Sequence, residues 1–109
     1  MLKAKVLNSK TNAFAEEVLT PQPHRPYECL IGRHPSCDLV LNGPEISRVH
    51  GRVLFMDGQC FFADLGSSDG TRINNVEVEV NYPHLIRPAD TIRMGLRIVS
   101  GRDRWRHAL

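Results

Sequence analysis

Apolar residues in this chain fall in short, β-rich runs broken by Gly, Pro, Asn and Asp, and no segment sustains the i, i+3, i+4, i+7 spacing of an amphipathic helix. The pattern predicts strands over 2–8, 13–19, 28–32, 38–41, 49–56, 59–65, 71–74, 76–80, 84–87 and 91–99, the last bent at Gly95 into two. At the start Leu2, Ala4 and Val6 alternate with Lys3 and Lys5, a strand pattern and not the apolar core of a signal peptide. Val49, Gly51, Val53 and Phe55 share one strand face, and Asp57-Gly58 then turns the chain into 59–65 as a hairpin. A second hairpin is expected where Asn74-Asn75 leads into Val76, Val78 and Val80, with Glu77 and Glu79 facing water.

Many short strands with turn signals at nearly regular spacing predict an all-β fold, a two-sheet antiparallel β-sandwich with its connecting loops gathered at the ends. A length of 109 residues leaves room for one domain, taken as 1–101, with 102–109 as a tail or linker stub. A chain of this mass can bury about two-thirds of its unfolded surface, enough for one modest core without staples. Three polar loops stand out, at 32–37, 43–50 and 66–71, and function is sought where they converge.

Charge narrows the picture only slightly. Fourteen basic residues against twelve acidic give +2, and neither sign forms a run of five, so no electrostatic tail for DNA or lipid stands out. Arg102, Arg104 and Arg106 around Trp105 read as a solvated tail. The cysteines, Cys29, Cys37 and Cys60, are odd in number and lack C-x-x-C spacing, which predicts buried reduced thiols and neither a disulfide framework nor a metal site. No cofactor is implied. The apolar stretches are too short to cross a bilayer, so no membrane partner is expected and a cytoplasmic location is the default.

The candidate chemistry lies in three segments. Gly32-Arg33 closes an apolar pair with a flexible backbone and a guanidinium fork suited to phosphate or carboxylate. Ser47-Arg48-Val49-His50 packs a hydroxyl, a guanidinium and an imidazole at a strand entrance. The stretch Asp64-Leu65-Gly66-Ser67-Ser68-Asp69-Gly70-Thr71 is rich in hydroxyls and in glycines that expose backbone N–H groups. A phosphothreonine carries about −1.5 to −2 charges and three strong acceptor oxygens, so a site of arginines, hydroxyls and loop amides suits it.

These segments, with Asp38-Leu39-Val40-Leu41, Ile73-Asn74 and a weaker Asp90-Thr91-Ile92-Arg93-Met94-Gly95, resemble in order and spacing the pattern of the forkhead-associated family over about positions 28–99. The resemblance implies an eleven-strand β-sandwich that binds a phosphothreonine-containing protein, the substrate of a Ser/Thr kinase, and catalyses nothing. It implies that Arg33 and Ser47 contact the phosphate, that Arg48 supports phosphate or peptide backbone, and that Ser68 lies beside the pocket. Asp69 stands where the family usually has an Asn that holds the peptide main chain. Gly32 and His50 are architectural by the same mapping, the imidazole bracing the loop that aims Ser47, while Gly70 and Thr71 fix the third loop's turn. Glu45 falls near the position that reads the third residue after the phosphothreonine. Ser in a Gly-rich turn often bonds its own backbone: Ser68 is as apt to do so as to meet a ligand, and Ser67 more so.

Three rival functions are weighed against this reading. Ser47, His50 and an Asp suggest a hydrolytic triad, but residues three apart on a strand point to opposite faces, and no nucleophile elbow is present. A pI of about 8.6 suggests nucleic acid, yet aromatic residues make up 6% of the chain and form no basic-aromatic strand platform. The alternative within the family is a scaffold with weakened or lost phosphate dependence, prompted by Asp69.

Overall fold

The computed structural model describes residues 2–8, 13–19, 23, 25, 27–87, 90–94 and 97–100. Along them run β1 (Leu2–Asn8), β2 (Ala13–Leu19), β3 (Glu28–Gly32), β4 (Leu39–Val40), β5 (Gly51–Met56), β6 (Gln59–Asp64), β7 (Arg72–Ile73), β8 (Val76–Glu77), β9 (His84–Ile86), β10 (Thr91–Met94) and β11 (Arg97–Ser100). The described residues contain no helix. Six strands form one sheet in the order β2-β1-β11-β10-β7-β8, and five form the other in the order β4-β3-β5-β6-β9. The bend expected at Gly95 and the tail 102–109 lie outside the described residues.

The pleat explains how the sheets meet. On β10, Ile92 and Met94 are buried while Arg93 between them is exposed, and on the other sheet Ile31, Val53, Cys60, Phe62 and Ile86 point inward. Residues from both sheets form one apolar cluster, closed from the loop side by Leu41 and Ile46. Each large side chain buried there contributes about 1.5–3 kcal/mol. The three cysteines are free and buried as expected, and burial pushes the thiols of Cys29 and Cys60 up to about 11.

Both expected hairpins close on two-residue turns of positive φ, Asp57 at 52° with Gly58 at 72°, and Asn74 at 51° with Asn75 at 66°. The second hairpin stops early: β8 ends at Glu77, and Val76 is 67% exposed. Val80 leaves the hairpin to bridge Asp64, so the valine face predicted over 76–80 does not form.

Two further expectations are corrected. The sheets are not wholly antiparallel, because β4 pairs with β3 in parallel, Ile31 opposite Leu39 and Gly32 opposite Val40. Asp38 makes this possible without a long crossover: its N–H donates to the Leu30 carbonyl at 2.9 Å, and its carboxylate accepts the Leu30 N–H at 2.8 Å. The strand predicted from Val49 begins instead at Gly51, and Val49 is 40% exposed. The segment before it is a turn.

Gly32 is buried at the end of β3, against the backbone of that turn. A Cβ there would overlap the Arg48 carbonyl oxygen and come within 2.9 Å of the Val49 Cα. Its requirement is therefore space and not an unusual φ. Gly32→Ala should destabilise the fold by about 2 kcal/mol, as overpacking against rigid backbone does, and lower the melting temperature by roughly 10 °C. A thermal melt indistinguishable from the wild type would show that the turn relaxes freely.

Candidate functional site

The loops at 32–37 and 43–50 are joined along their backbones. Arg33 N–H donates to the Ser47 carbonyl and His34 N–H to the Arg48 carbonyl, each at 3.0 Å, while the Cys37 thiol donates to the same Arg48 oxygen at 3.4 Å. Arg33 also donates from Nε to the Ile46 carbonyl at 3.1 Å, which holds the guanidinium over the second loop while the residue stays exposed.

His50, fully buried, links the second loop to the third. Its Nδ1 accepts the Ser47 N–H at 3.2 Å, so that nitrogen carries no proton; Nε2–H then donates to the Gly70 carbonyl at 3.0 Å and lies 3.1 Å from Thr71 Oγ1. Burial holds the imidazole below its ordinary 6.5, against the Gly70 carbonyl and the charges of Asp64 and Asp69, which pull the other way. His50 is thus a neutral brace. Its Nε2 stands 3.9 Å from Asp64 Oδ2 while aiming at Gly70, so the pair is not a salt bridge of consequence.

Asp64, at the end of β6, organises the third loop. It accepts the hydroxyls of Ser67 at 2.5 Å and Thr71 at 2.6 Å, and the N–H groups of Ser67 at 2.9 Å and Gly66 at 2.8 Å. Burial pushes this carboxyl up, but the four donors outweigh it and hold the group below its ordinary 3.8. Positive φ at Gly66 and Gly70, 83° and 76°, lets the loop fold around one carboxylate. The Ser67 hydroxyl is therefore committed to Asp64. The Ser68 N–H crosses to the second loop and donates to Ser47 Oγ at 3.0 Å.

This stitching brings the predicted residues together. An open cleft of ≈ 270 Å³ is lined by Arg33 from the first loop, by Glu45, Ser47 and Arg48 with Pro44 and Ile46 from the second, and by Ser68 and Asp69 from the third. Of the residues expected to support it, none lines this cleft: Gly32, His50 and Thr71 are buried and Gly70 is half-buried. Ser47 accepts from Ser68 and so keeps its own O–H for a ligand. The Glu45 carboxylate folds back over Gly43. One expectation is overturned in its detail: Ser47 and His50 do meet, because 47–50 is a turn and not a strand. They meet through the Ser47 backbone, which gives no nucleophile–base contact. Asp64 and Asp38 carried no assigned role in the sequence reading. A buried acid flanked by Ser and Thr at loop spacing was the available signal.

The profile of the FHA domain family matches residues 29–95. Among curated proteins, the chain is 33% identical over 84 residues to zeaxanthin epoxidase, chloroplastic, of Prunus armeniaca, covering 68% of this chain and 13% of that protein. It is 35% identical over 68 residues to the FHA domain-containing protein PS1 of Arabidopsis thaliana, covering 61% of this chain and 5% of that one. The chain thus spans only a small part of these relatives. Among solved structures, the N-terminal FHA domain of S. cerevisiae Rad53p in complex with a phosphothreonine peptide superposes with a TM-score of 0.73 at 24% identity, over 99% of this chain and 100% of that one.

The network makes stability depend on pH with a defined sign. His50 is held below 6.5 in the native state, so its contribution is complete above pH 6.5 and is lost as pH falls from there toward the native value. Denaturant unfolding should show the wild type losing stability as pH falls below about 6.5, and His50→Gln, less stable at neutral pH, losing much less over the same fall. Parallel pH dependence in both proteins would mean that the imidazole is not held neutral.

Proposed function

The chain belongs to the FHA domain family, and from that membership we propose that it is a phosphopeptide-binding signalling module. It takes phosphothreonine in an extended segment of a partner protein through Arg33, Ser47, Arg48 and the 66–71 loop. The observation that carries this reading is the convergence of those residues in one open cleft whose donors are already oriented. Arg33 is steered by Ile46, and Ser47 is fixed by the Ser68 N–H with its hydroxyl proton left to donate. A site so arranged loses little entropy on accepting a phosphate. A few charge-assisted hydrogen bonds of about 1.5–3 kcal/mol each then supply most of the selectivity within a micromolar affinity of about −8 kcal/mol.

A second reading, a scaffold with weakened phosphate dependence, is favoured by one observation: Asp69 lines the cleft. An Asn there both donates to and accepts from a peptide backbone, whereas an ionised Asp only accepts. At a separation of about 8 Å and an effective dielectric of about 40, its repulsion of a phosphate dianion is roughly 2 kcal/mol, or about thirtyfold in affinity. Asp69, with Glu45 near the position reading the third residue after the phosphothreonine, offsets part of this for ligands that carry a basic residue.

Two measurements test these proposals. By titration calorimetry, phosphothreonine peptides should bind, their unphosphorylated forms should not, and Arg33→Ala should weaken binding about tenfold or more with an unchanged melting temperature. Equal heats from both peptide forms would end the phosphopeptide reading. In a peptide library screen, Asp69→Asn should bind most phosphopeptides more tightly than the wild type and lose part of any preference for basic residues. Identical profiles would place Asp69 outside the peptide's reach.

A further inference from the structure

A second cleft, of ≈ 210 Å³, adjoins the first and is lined by Asp69, Gly70, Thr71, Arg72, Glu77 and Arg93. Asp69 lines both, so the two clefts share one wall. Arg93 lies on the outer face of its sheet, between the inward-pointing Ile92 and Met94. Arg72 is paired with Arg93 on one side and with Glu77 on the other, which sets three charged side chains in one row across β10, β7 and β8.

That row is unbalanced. Side chains directly opposite on antiparallel strands stand about 4.5–5.5 Å apart at Cβ, and like charges so placed destabilise the pair. The Glu77 carboxylate sits beside Gly70 in the same cleft, 3.1 Å from where a Cβ on Gly70 would be, and forms no ion pair with either arginine. Among the described residues, the structure gives neither guanidinium a hydrogen-bond or ion-pair partner. Two exposed forks, side by side and unpaired, match the geometry of a bidentate oxyanion. Asp69 and Glu77 line the same cleft, and their carboxylates oppose a dianion more strongly than a monoanion.

We propose that this second cleft is a subsite for the carboxylate of an Asp or Glu in the same peptide whose phosphothreonine occupies the Arg33–Ser47 cleft, the peptide passing over Asp69 between them. The inference rests on the phosphopeptide reading. It adds a specificity element on the sheet face, outside the three loops, and selects ligands in which a carboxylate lies to one side of the phosphothreonine.

A peptide array with fixed phosphothreonine tests it, each flanking position being in turn Ala, Glu, phosphoserine or Lys. Affinities are read by fluorescence anisotropy for the wild type, Arg72→Gln and Arg93→Gln, with circular dichroism confirming that each variant is folded. At one flanking position Glu should bind about fivefold more tightly than Ala, the scale of a well-formed surface ion pair. Phosphoserine should gain less than Glu and Lys nothing, and either variant should bring the Glu-to-Ala ratio close to one. Phosphothreonine peptides that bind with no Glu advantage at any position overturn the subsite and leave the phosphopeptide reading intact. A Glu advantage that survives both variants, or a phosphoserine that outstrips Glu, also overturns it. Failure of every phosphothreonine peptide to bind removes the reading and the subsite together.

Discussion

Two buried polar side chains, His50 and Asp64, hold the second and third loops in one arrangement, to which the first is joined by backbone bonds from Arg33 and His34, and the candidate site follows from how each is satisfied. An unpaired buried carboxylate or imidazole costs several kcal/mol, so the surrounding backbone has to supply partners. Asp64 draws the amides and hydroxyls of 66, 67 and 71 around itself. His50 takes the Ser47 amide on one nitrogen and the Gly70 carbonyl on the other. Satisfying these two groups brings Ser68 to Ser47, whose carbonyl, with that of Ile46, holds Arg33. Of the groups proposed to meet phosphate, Arg33, Arg48 and Ser68 are exposed and Ser47 is half-buried, whereas His50 and Asp64 behind them are buried. A binding site can in this way be polar and open while the stability of its loops is stored out of reach of solvent.

The same division explains where the glycines matter. Gly32 gives the first loop its close approach to the second, and Gly66 and Gly70 let the third loop curl about Asp64. Arg48 and Asp69 occupy the rim, where charge can change without disturbing the fold. The rim is where the chain carries an acid in place of the family's usual amide, and where the row of Arg72 and Arg93 begins. Variation in ligand preference is easiest at such positions, because among the described residues no side-chain hydrogen bond or ion pair ties the Arg48 guanidinium or the Asp69 carboxylate to the core.

Much of this was legible in the sequence because it is local. The two hairpin turns are written in Asp57-Gly58 and Asn74-Asn75, whose positive φ values need no tertiary help. The ordered motifs placed Arg33, Ser47, Arg48, Ser68 and Asp69 in three loops, and the structure brings those loops together. What escaped is what depends on distant partners. The parallel pairing of β3 and β4 hangs on the Asp38 carboxylate reaching Leu30. The periodicity starts a strand at 49 because Val49 continues an apolar alternation, whereas backbone bonds from Arg33 and His34 hold 47–50 as a turn. That the Ser67 hydroxyl is committed follows only once Asp64 is known to claim it. The Arg72–Arg93 row needed the strand register of β7 against β10, which no periodicity reveals.

The most direct test of the central claim, that a phosphate is held where the buried His50–Asp64 network converges the three loops, is amide chemical-shift mapping of the isotope-labelled chain titrated with a phosphothreonine peptide. The account predicts saturable shifts centred on the amides of Arg33, Ser47, Arg48 and Ser68 and on the Arg33 Nε–H, with none from the unphosphorylated peptide. Shifts confined to another face of the sandwich, or the same shifts from both peptides, would contradict it.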